Sequence, residues 1–291
     1  MSPFVILLVL ISAFMHAGWN LFARKGRNEK IFFSQMLTVI SIIGFFPAIL
    51  TEFITHSLTL KAWFCVIGSG FFCGVYFYSL ANAYIFSDFT IVYPVSRSLP
   101  VLFVAIGDII RGRVLSFSGW LGIFLIVIGC SLSPLTSFKD ISIKRYFNRT
   151  GLWLVLTAIG TTAYTLLDKI ASEVVYKGPA TAARYGYFFF LMTFITYHLF
   201  LYFSGKQKEE KEIKEWKLPS LSAFLDFGSY WLILWVYQLT DIASYVVAFR
   251  QFSILIGVIL AFVIYKEKGV FVRILGAFLL TAGLIIIGVF T

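Results

Sequence analysis

The sequence predicts an all-α polytopic membrane protein with ten transmembrane helices in two inverted five-helix repeats. Three observations predict it. Of 291 residues, 59% are hydrophobic and only 13% are charged, whereas a soluble domain carries about 25% charged residues. Uncharged runs of membrane-spanning length recur along the whole chain. The second half repeats signposts of the first. So few charges exclude an ordinary soluble enzyme, a disordered chain and a nucleic-acid-binding domain.

The elements follow in order. A span needs about 20 mostly apolar residues, and about 17 at the least. Residues 2–23 form the first span; the run is too long for a signal-peptide core and no charged leader precedes it, so it is read as retained. Residues 31–51 and 62–87 are the second and third. Residues 89–110 are the fourth, equally apolar but carrying Arg97, and 114–138 are the fifth. After the connection 139–149 come 150–167 and 185–205. The stretch 219–239 carries only Asp226, 243–264 only Arg250, and 274–291 is the tenth. The expected units are therefore 1–138 and 150–291, joined by 139–149. Barrel strands would alternate apolar and polar residues, and these runs do not. Backbone in lipid must be satisfied within its own segment, so the spans are helices.

The net charge of +10 is spread over short loops rather than gathered into a patch. Sixteen of the 24 Lys/Arg fall in loops after odd-numbered spans, six fall on the other side, and Arg97 and Arg250 complete the set. This bias places the odd loops in the cytoplasm and both termini outside. Cys65, Cys73 and Cys130 lie inside spans, with neither metal-ligand spacing nor a paired framework. They read as small packing residues. Neither a cofactor nor a metal is expected.

The repeat is visible in two places. Residues 87–97 read SDFTIVYPVSR and residues 240–250 read TDIASYVVAFR, so Asp88 matches Asp241 and Arg97 matches Arg250. Residues 121–129 and 275–283 share the pattern L-G-x-F-L-x-x-x-G. An odd number of spans per half reverses the second half against the first. That is the inverted-repeat plan of secondary transporters, whose sites lie at the repeat interface near the midplane.

The sequence resembles EamA-type members of the drug/metabolite transporter superfamily over nearly the whole chain. HAGWNLFARKG (16–26) is similar to the first-helix ending of one bacterial branch, and DFTIVYPVSRSLP (88–100) to its fourth helix. The acidic residue usual after the fourth helix is replaced by Arg111-Gly112-Arg113, while the second half keeps Lys266-Glu267-Lys268. The resemblance implies solute export or uptake by alternating access, through a cavity lined mainly by helices 1, 3, 4, 6, 8 and 9. Some relatives are described with cytoplasmic termini, the reverse of the charge distribution here.

Arg97 and Arg250 are the leading site residues. Each lies about 12 Å into its span at 1.5 Å per residue, where a charge costs at least about 2.5–3.5 kcal/mol and usually faces a cavity. The planar guanidinium suits a carboxylate or phosphate. The plain alternative is that each pairs with a helix end or an acidic neighbour. Pro94 removes the hydrogen bond to the Thr90 carbonyl and kinks the helix, making a hinge or a mere packing bend. His16 lies near the depth of Arg97, with Trp19 and Asn20 a turn nearer the same face. His16 is either a solute ligand and proton carrier or a buried neutral histidine. By the repeat, Tyr164 holds a related position on the sixth helix. Tyr78, Tyr93, Trp231 and Tyr245 supply rings that line a pocket or form an interfacial belt. Asp226 carries a proton or neutralises an arginine. Asp88 and Asp241 favour helix N-termini through the dipole. Gly70-x-x-x-Gly74 permits close helix approach, and Gly122/Gly129 with Gly276/Gly283 mark a scaffold or a dimer face.

The reading is a secondary carrier of the cell inner (plasma) membrane, monomeric or homodimeric. It moves a small organic metabolite, with amino acids or other carboxylates favoured, and has the lipid bilayer but no nucleic acid as partner. The sequence shows no phosphate-binding loop, metal cluster or catalytic triad, so neither direct ATP drive nor catalysis is expected. The rival is an accessory membrane subunit, for example of a lipid-modifying complex. A membrane enzyme would need a nucleophile, base and acid that the intramembrane residues do not supply.

Overall fold

The computed structural model describes residues 1–25, 28–86, 89–133, 135, 137–138, 149–205, 215–256 and 271–291. Among them every regular element is helical: α1 (Pro3–Lys25), α2 (Glu29–Thr55), α3 (Leu60–Phe86), α4 (Phe89–Ile110), α5 (Phe117–Leu132), α6 (Arg149–Ser172), α7 (Pro179–Phe203), α8 (Lys217–Leu239), α9 (Ala243–Arg250) and α10 (Phe271–Phe290). Helix resumes after Gln251 as far as Ile256. Among the described residues, α1, α2, α3, α6, α7 and α10 contain segments long and apolar enough to cross a membrane.

The helices form because their apolar residues divide by the 3.6 period into a lipid face and a protein face. On α1, Phe4, Leu7, Ile11 and Phe14 are exposed, while Val5, Leu8, Val9, Ser12, His16 and Trp19 are buried. Asn28 starts α2, its side chain accepting from Lys30 N at 3.1 Å and Ile31 N at 3.4 Å. The helix ends at His56 in the left-handed region, φ 44°. There the buried Glu52 carboxylate accepts from Ser57 Oγ at 2.5 Å and Leu58 N at 2.8 Å, and pairs with Arg184 Nε of α7 at 3.3 Å. Gly178 (φ 142°) and Pro179 open α7, proline being suited to a first helical position.

Several cations counted as loop charges lie inside helices, and two of them are drawn in among other helices. Arg184 is in α7 and Lys169 is in α6, 2% exposed. Lys169 stays there because its ammonium donates to the Tyr237 carbonyl at 2.9 Å and pairs with Glu173 at 3.3 Å.

The packing shows the repeat directly. Adding five to a helix number, or subtracting it, turns one contact into its counterpart. Thus α3 packs on α6 and α1 on α8; α3 on α7 and α2 on α8; α4 on α6 and α1 on α9. The pairs α2 with α7, α4 with α9 and α5 with α10 map onto themselves. Such pairing is what an in-plane pseudo-two-fold axis requires. Glycines set the tightest contacts. A Cβ on Gly74 would lie 2.7 Å from Thr196 Cβ of α7, and one on Gly129 would lie 2.6 Å from Leu280 N and 2.7 Å from Gly276 O of α10. The α5 and α10 glycines therefore face one another within the chain, as scaffold.

Successive helices run in opposite directions. One face of the bundle holds the chain termini, the α4–α5, α6–α7 and α8–α9 connections, and is called the terminal face. The opposite face, where α1, α3, α5 and α7 end, is called the basic face after the Lys/Arg count of the sequence.

Candidate functional site

A narrow cleft, with a cavity volume of about 50 Å³, lies where the halves meet. It is lined by His16 and Asn20 of α1, Tyr76 and Leu80 of α3, Ser96 and Pro100 of α4, Thr161, Tyr164 and Thr165 of α6, and Val247, Arg250 and Gln251 around the end of α9. Asn20, Leu80 and Ser96 lie within about two turns of the ends of α1, α3 and α4 that meet the basic face. The lining therefore extends from Arg250 towards that face.

Arg250 is anchored by neutral groups. Its Nη2 lies 3.1 Å from His16 Nδ1 and donates to Ser229 Oγ at 3.5 Å. Trp19 Nε1 also donates to His16 Nδ1, at 3.1 Å. Two N–H donors on one ring nitrogen leave only the tautomer with its proton on Nε2. The guanidinium carbon sits 5.4 Å from the centroid of the Tyr230 ring, within the range of a cation–π contact. Beneath it, Ser12 Oγ of α1 donates to the Ser229 carbonyl at 2.8 Å and lies 3.2 Å from Ser229 Oγ. Among the described residues no carboxylate comes within 4.0 Å of Arg250, and its Nε has no hydrogen-bond partner. Asp226 of α8 is close enough for the two charges to interact. It is 4% exposed, and its Oδ2 has no hydrogen-bond partner.

His16, Asn20, Tyr164 and Arg250 thus meet in the cleft. Trp19, 1% exposed, stands behind His16 against Phe33 and Phe77. Three sequence candidates lie elsewhere, because each finds another partner. Tyr78 packs on Trp153 and Phe200. Trp231 Nε1 donates to the Pro179 carbonyl at 2.8 Å, at the terminal face. The Tyr245 hydroxyl accepts from Ser116 N at 3.1 Å where α5 begins. The side chains of Arg97, Tyr93 and Pro94 fall outside the described residues, as do Asp88 and Glu267.

Sequence reasoning passed over Asp168. The sixth apolar run ends at 167, so Asp168 read as the start of a loop; α6 continues to Ser172 and buries it to 1% exposure. Its carboxylate accepts from Ser69 Oγ at 2.5 Å, from the Tyr185 hydroxyl at 2.6 Å and from the Tyr230 hydroxyl. These donors sit on three different helices, a convergence that linear spacing does not show.

At the terminal face, ion pairs of Glu173 with Arg111 and Arg113 join the two halves. Glu173 Oε1 meets Arg111 Nη2 at 2.8 Å, Arg113 Nη2 at 3.0 Å and Lys169 Nζ at 3.3 Å. Asp108, fully buried, accepts from Ser244 N at 2.7 Å at the start of α9 and pairs with Arg111 at 3.5 Å. Gly112, φ 77°, lets the turn present both arginines to one carboxylate. The Arg-Gly-Arg departure from the family pattern therefore has a use. Partial burial pushes the Glu173 carboxyl up, but the Arg111 guanidinium and the Lys169 ammonium hold it below its ordinary value of 4.5. Among the described residues no group of three or more His, Cys, Asp or Glu could hold a metal ion.

The helices of the described residues, paired by a pseudo-two-fold with a polar cleft between the halves, define a multi-pass membrane transporter of the inverted-repeat class. The chain belongs to the EamA-like transporter family, whose sequence profile matches residues 3–134 and again 148–289, and so to the drug/metabolite transporter superfamily. A solved crystal structure, described only as that of a protein, has a TM-score of 0.71, covering 98% of this chain and 96% of that one at 11% identity. That likeness is one of fold. No curated protein matches.

Proposed function

We propose that the chain is a secondary carrier that moves a small carboxylate-bearing solute, such as an amino acid or another organic acid, by alternating access across the cell's inner (plasma) membrane. Arg250 carries the reading. A guanidinium in a membrane-embedded cleft, with an unpartnered Nε and no carboxylate within ion-pair reach among the described residues, is a costly arrangement unless an anion arrives. Its planar fork matches a carboxylate with two parallel hydrogen bonds. The hydroxyls of Thr161, Thr165 and Tyr164 and the Asn20 amide line the same cleft and supply neutral contacts for the rest of a small solute. Asp226 counter-charges Arg250 in the empty carrier, and the solute carboxylate takes its place. Arg97 is the pseudo-symmetric anion contact, and Pro94 the hinge beside it.

The test is a thermal-shift panel of succinate, L-glutamate, putrescine and glucose on wild type, Arg250→Gln and Arg250→Lys. A ligand at about 100 times its Kd stabilises by about 2.7 kcal/mol. Stabilisation by an acid is expected in wild type, reduced in Arg250→Lys and absent in Arg250→Gln. Stabilisation by putrescine or glucose that survives in Arg250→Gln would overturn the reading. If no solute stabilises the protein or crosses proteoliposomes, the accessory-subunit alternative takes over.

A further inference from the structure

We propose that Asp168 is a proton-binding site coupled to the cleft through Tyr230; the coupling, though not the site, rests on the carrier reading above. The ligand is a proton. Buried carboxylates are ordinarily neutralised by a cation. Asp168, 1% exposed, has none within 4.0 Å among the described residues. The neighbouring Lys169 ammonium is turned to the Tyr237 carbonyl and Glu173. What surrounds the Asp168 carboxylate is a shell of hydroxyls: Ser69 and Tyr185 on one oxygen, Tyr230 on the other. A hydroxyl donates to a carboxylate and, by rotating, accepts from a carboxylic acid. The shell therefore holds either protonation state without moving a helix. A fixed ammonium or guanidinium partner would hold only one.

Tyr230 joins this site to the cleft. Its hydroxyl bonds Asp168, the Arg250 guanidinium lies 5.4 Å from its ring centroid, and the ring of Tyr164, a cleft-wall residue, meets it edge-on at 5.8 Å. One side chain thus touches both the cleft cation and the buried acid. An anion that pairs with Arg250 adds a negative charge to the cleft beside Tyr230, which disfavours a further negative charge on Asp168, so Asp168 takes up a proton. By reciprocity the proton strengthens anion binding equally, so solute and proton move in the same direction. Ser69 belongs to the first half and α6, α7 and α8 to the second, so the protonation state acts across the seam between the halves.

The titratable groups facing Asp168 are the thiols of Cys65 and Cys73 from α3, the phenols of Tyr185 from α7, and those of Tyr230 and Tyr237 from α8. The charged residues nearby are Asp226 on α8, Arg250 on α9, Asp108 on α4 and its own neighbour Lys169. Asp226 is the rival for the proton.

The deciding experiment is pH-difference infrared spectroscopy of the full chain in liposomes, reading the C=O stretch of a protonated carboxylic acid. Wild type, Asp168→Asn, Asp226→Asn and Tyr230→Phe are compared. The expected result is a titrating band in wild type and Asp226→Asn that is missing from Asp168→Asn. Tyr230→Phe keeps the band and moves its midpoint, which also serves if Asp168→Asn does not fold; an unmoved midpoint overturns the proposal. A band lost only in Asp226→Asn gives the proton to that residue and overturns it, as does the absence of any titrating band. Coupling is read separately, as thermal stabilisation by succinate or L-glutamate across pH. It is expected to depend on pH in wild type and not in Asp168→Asn; pH dependence retained in Asp168→Asn overturns the coupling. If infrared assigns the proton to Asp168 while neither acid stabilises the protein, the proton site stands and the carrier reading falls.

Discussion

His16 is held by its neighbours rather than by its own helix. Trp19 Nε1, one turn away, and Arg250, from the other half, both aim N–H groups at His16 Nδ1 at 3.1 Å. Trp19→Phe keeps the ring and deletes one donor. It should lower stability by about 1 kcal/mol, read by thermal melting in detergent, while weakening acid binding as His16 loses its setting. Glu173 gives a pH prediction. Its carboxyl is held below 4.5 by Arg111 and Lys169. The ionised form is thus the one the fold favours, so its stabilising contribution is complete above 4.5 and lost as pH falls through the lowered value. The melting difference between wild type and Glu173→Gln should be constant near neutrality and shrink on acidification. A difference that grew with acid would contradict these ion pairs.

Between elements, the sequence showed which glycines recur but not what they touch. The matched glycines of the L-G-x-F-L-x-x-x-G pattern could have faced a second copy of the chain. They face one another, with backbone atoms 2.6 and 2.7 Å from a Cβ placed on Gly129. Backbone cannot move aside as a side chain can, so Gly129→Val should exceed the usual overpacking cost of about 1–3 kcal/mol and abolish recovery of folded protein. Gly112→Ala meets nothing within 4 Å and bears only the strain of φ 77°, about 1–2 kcal/mol. Melting of the two variants side by side checks the contrast. Helix α6 teaches the opposite lesson. A charge ended the apolar run at 167, yet the helix continues to Ser172 because hydroxyls from α3, α7 and α8 satisfy Asp168 and the end of α8 satisfies Lys169.

For the whole molecule, the two faces differ in kind. The terminal face carries the ion-pair network of Asp108, Arg111, Arg113, Lys169 and Glu173, while the cleft lining extends towards the basic face. Sixteen of the 24 Lys/Arg fall on the basic-face side of the sequence count, and on that ground we propose that this face is cytoplasmic and the termini outside. Thr291→Cys should then react with a membrane-impermeant maleimide in intact cells, the native cysteines being buried. Labelling only after permeabilisation would reverse the orientation.

The sequence alone determined the class of this protein. Long uncharged runs leave a chain no state but helices in a bilayer, and matching signposts separated by an odd number of spans impose inversion. Of the residues it singled out, Arg250, His16, Asn20 and Tyr164 line the cleft, polar groups in apolar runs being costly and therefore conspicuous. Tertiary structure decided the rest. Tyr78, Trp231 and Tyr245 turn from the cleft because partners on other helices satisfy them. Asp168 comes to the centre of a four-helix hydroxyl cluster because Ser69, Tyr185 and Tyr230 converge only when α3, α7 and α8 pack round α6. A hydrogen bond depends on distance in space, and one-dimensional order does not encode which helix ends up beside which.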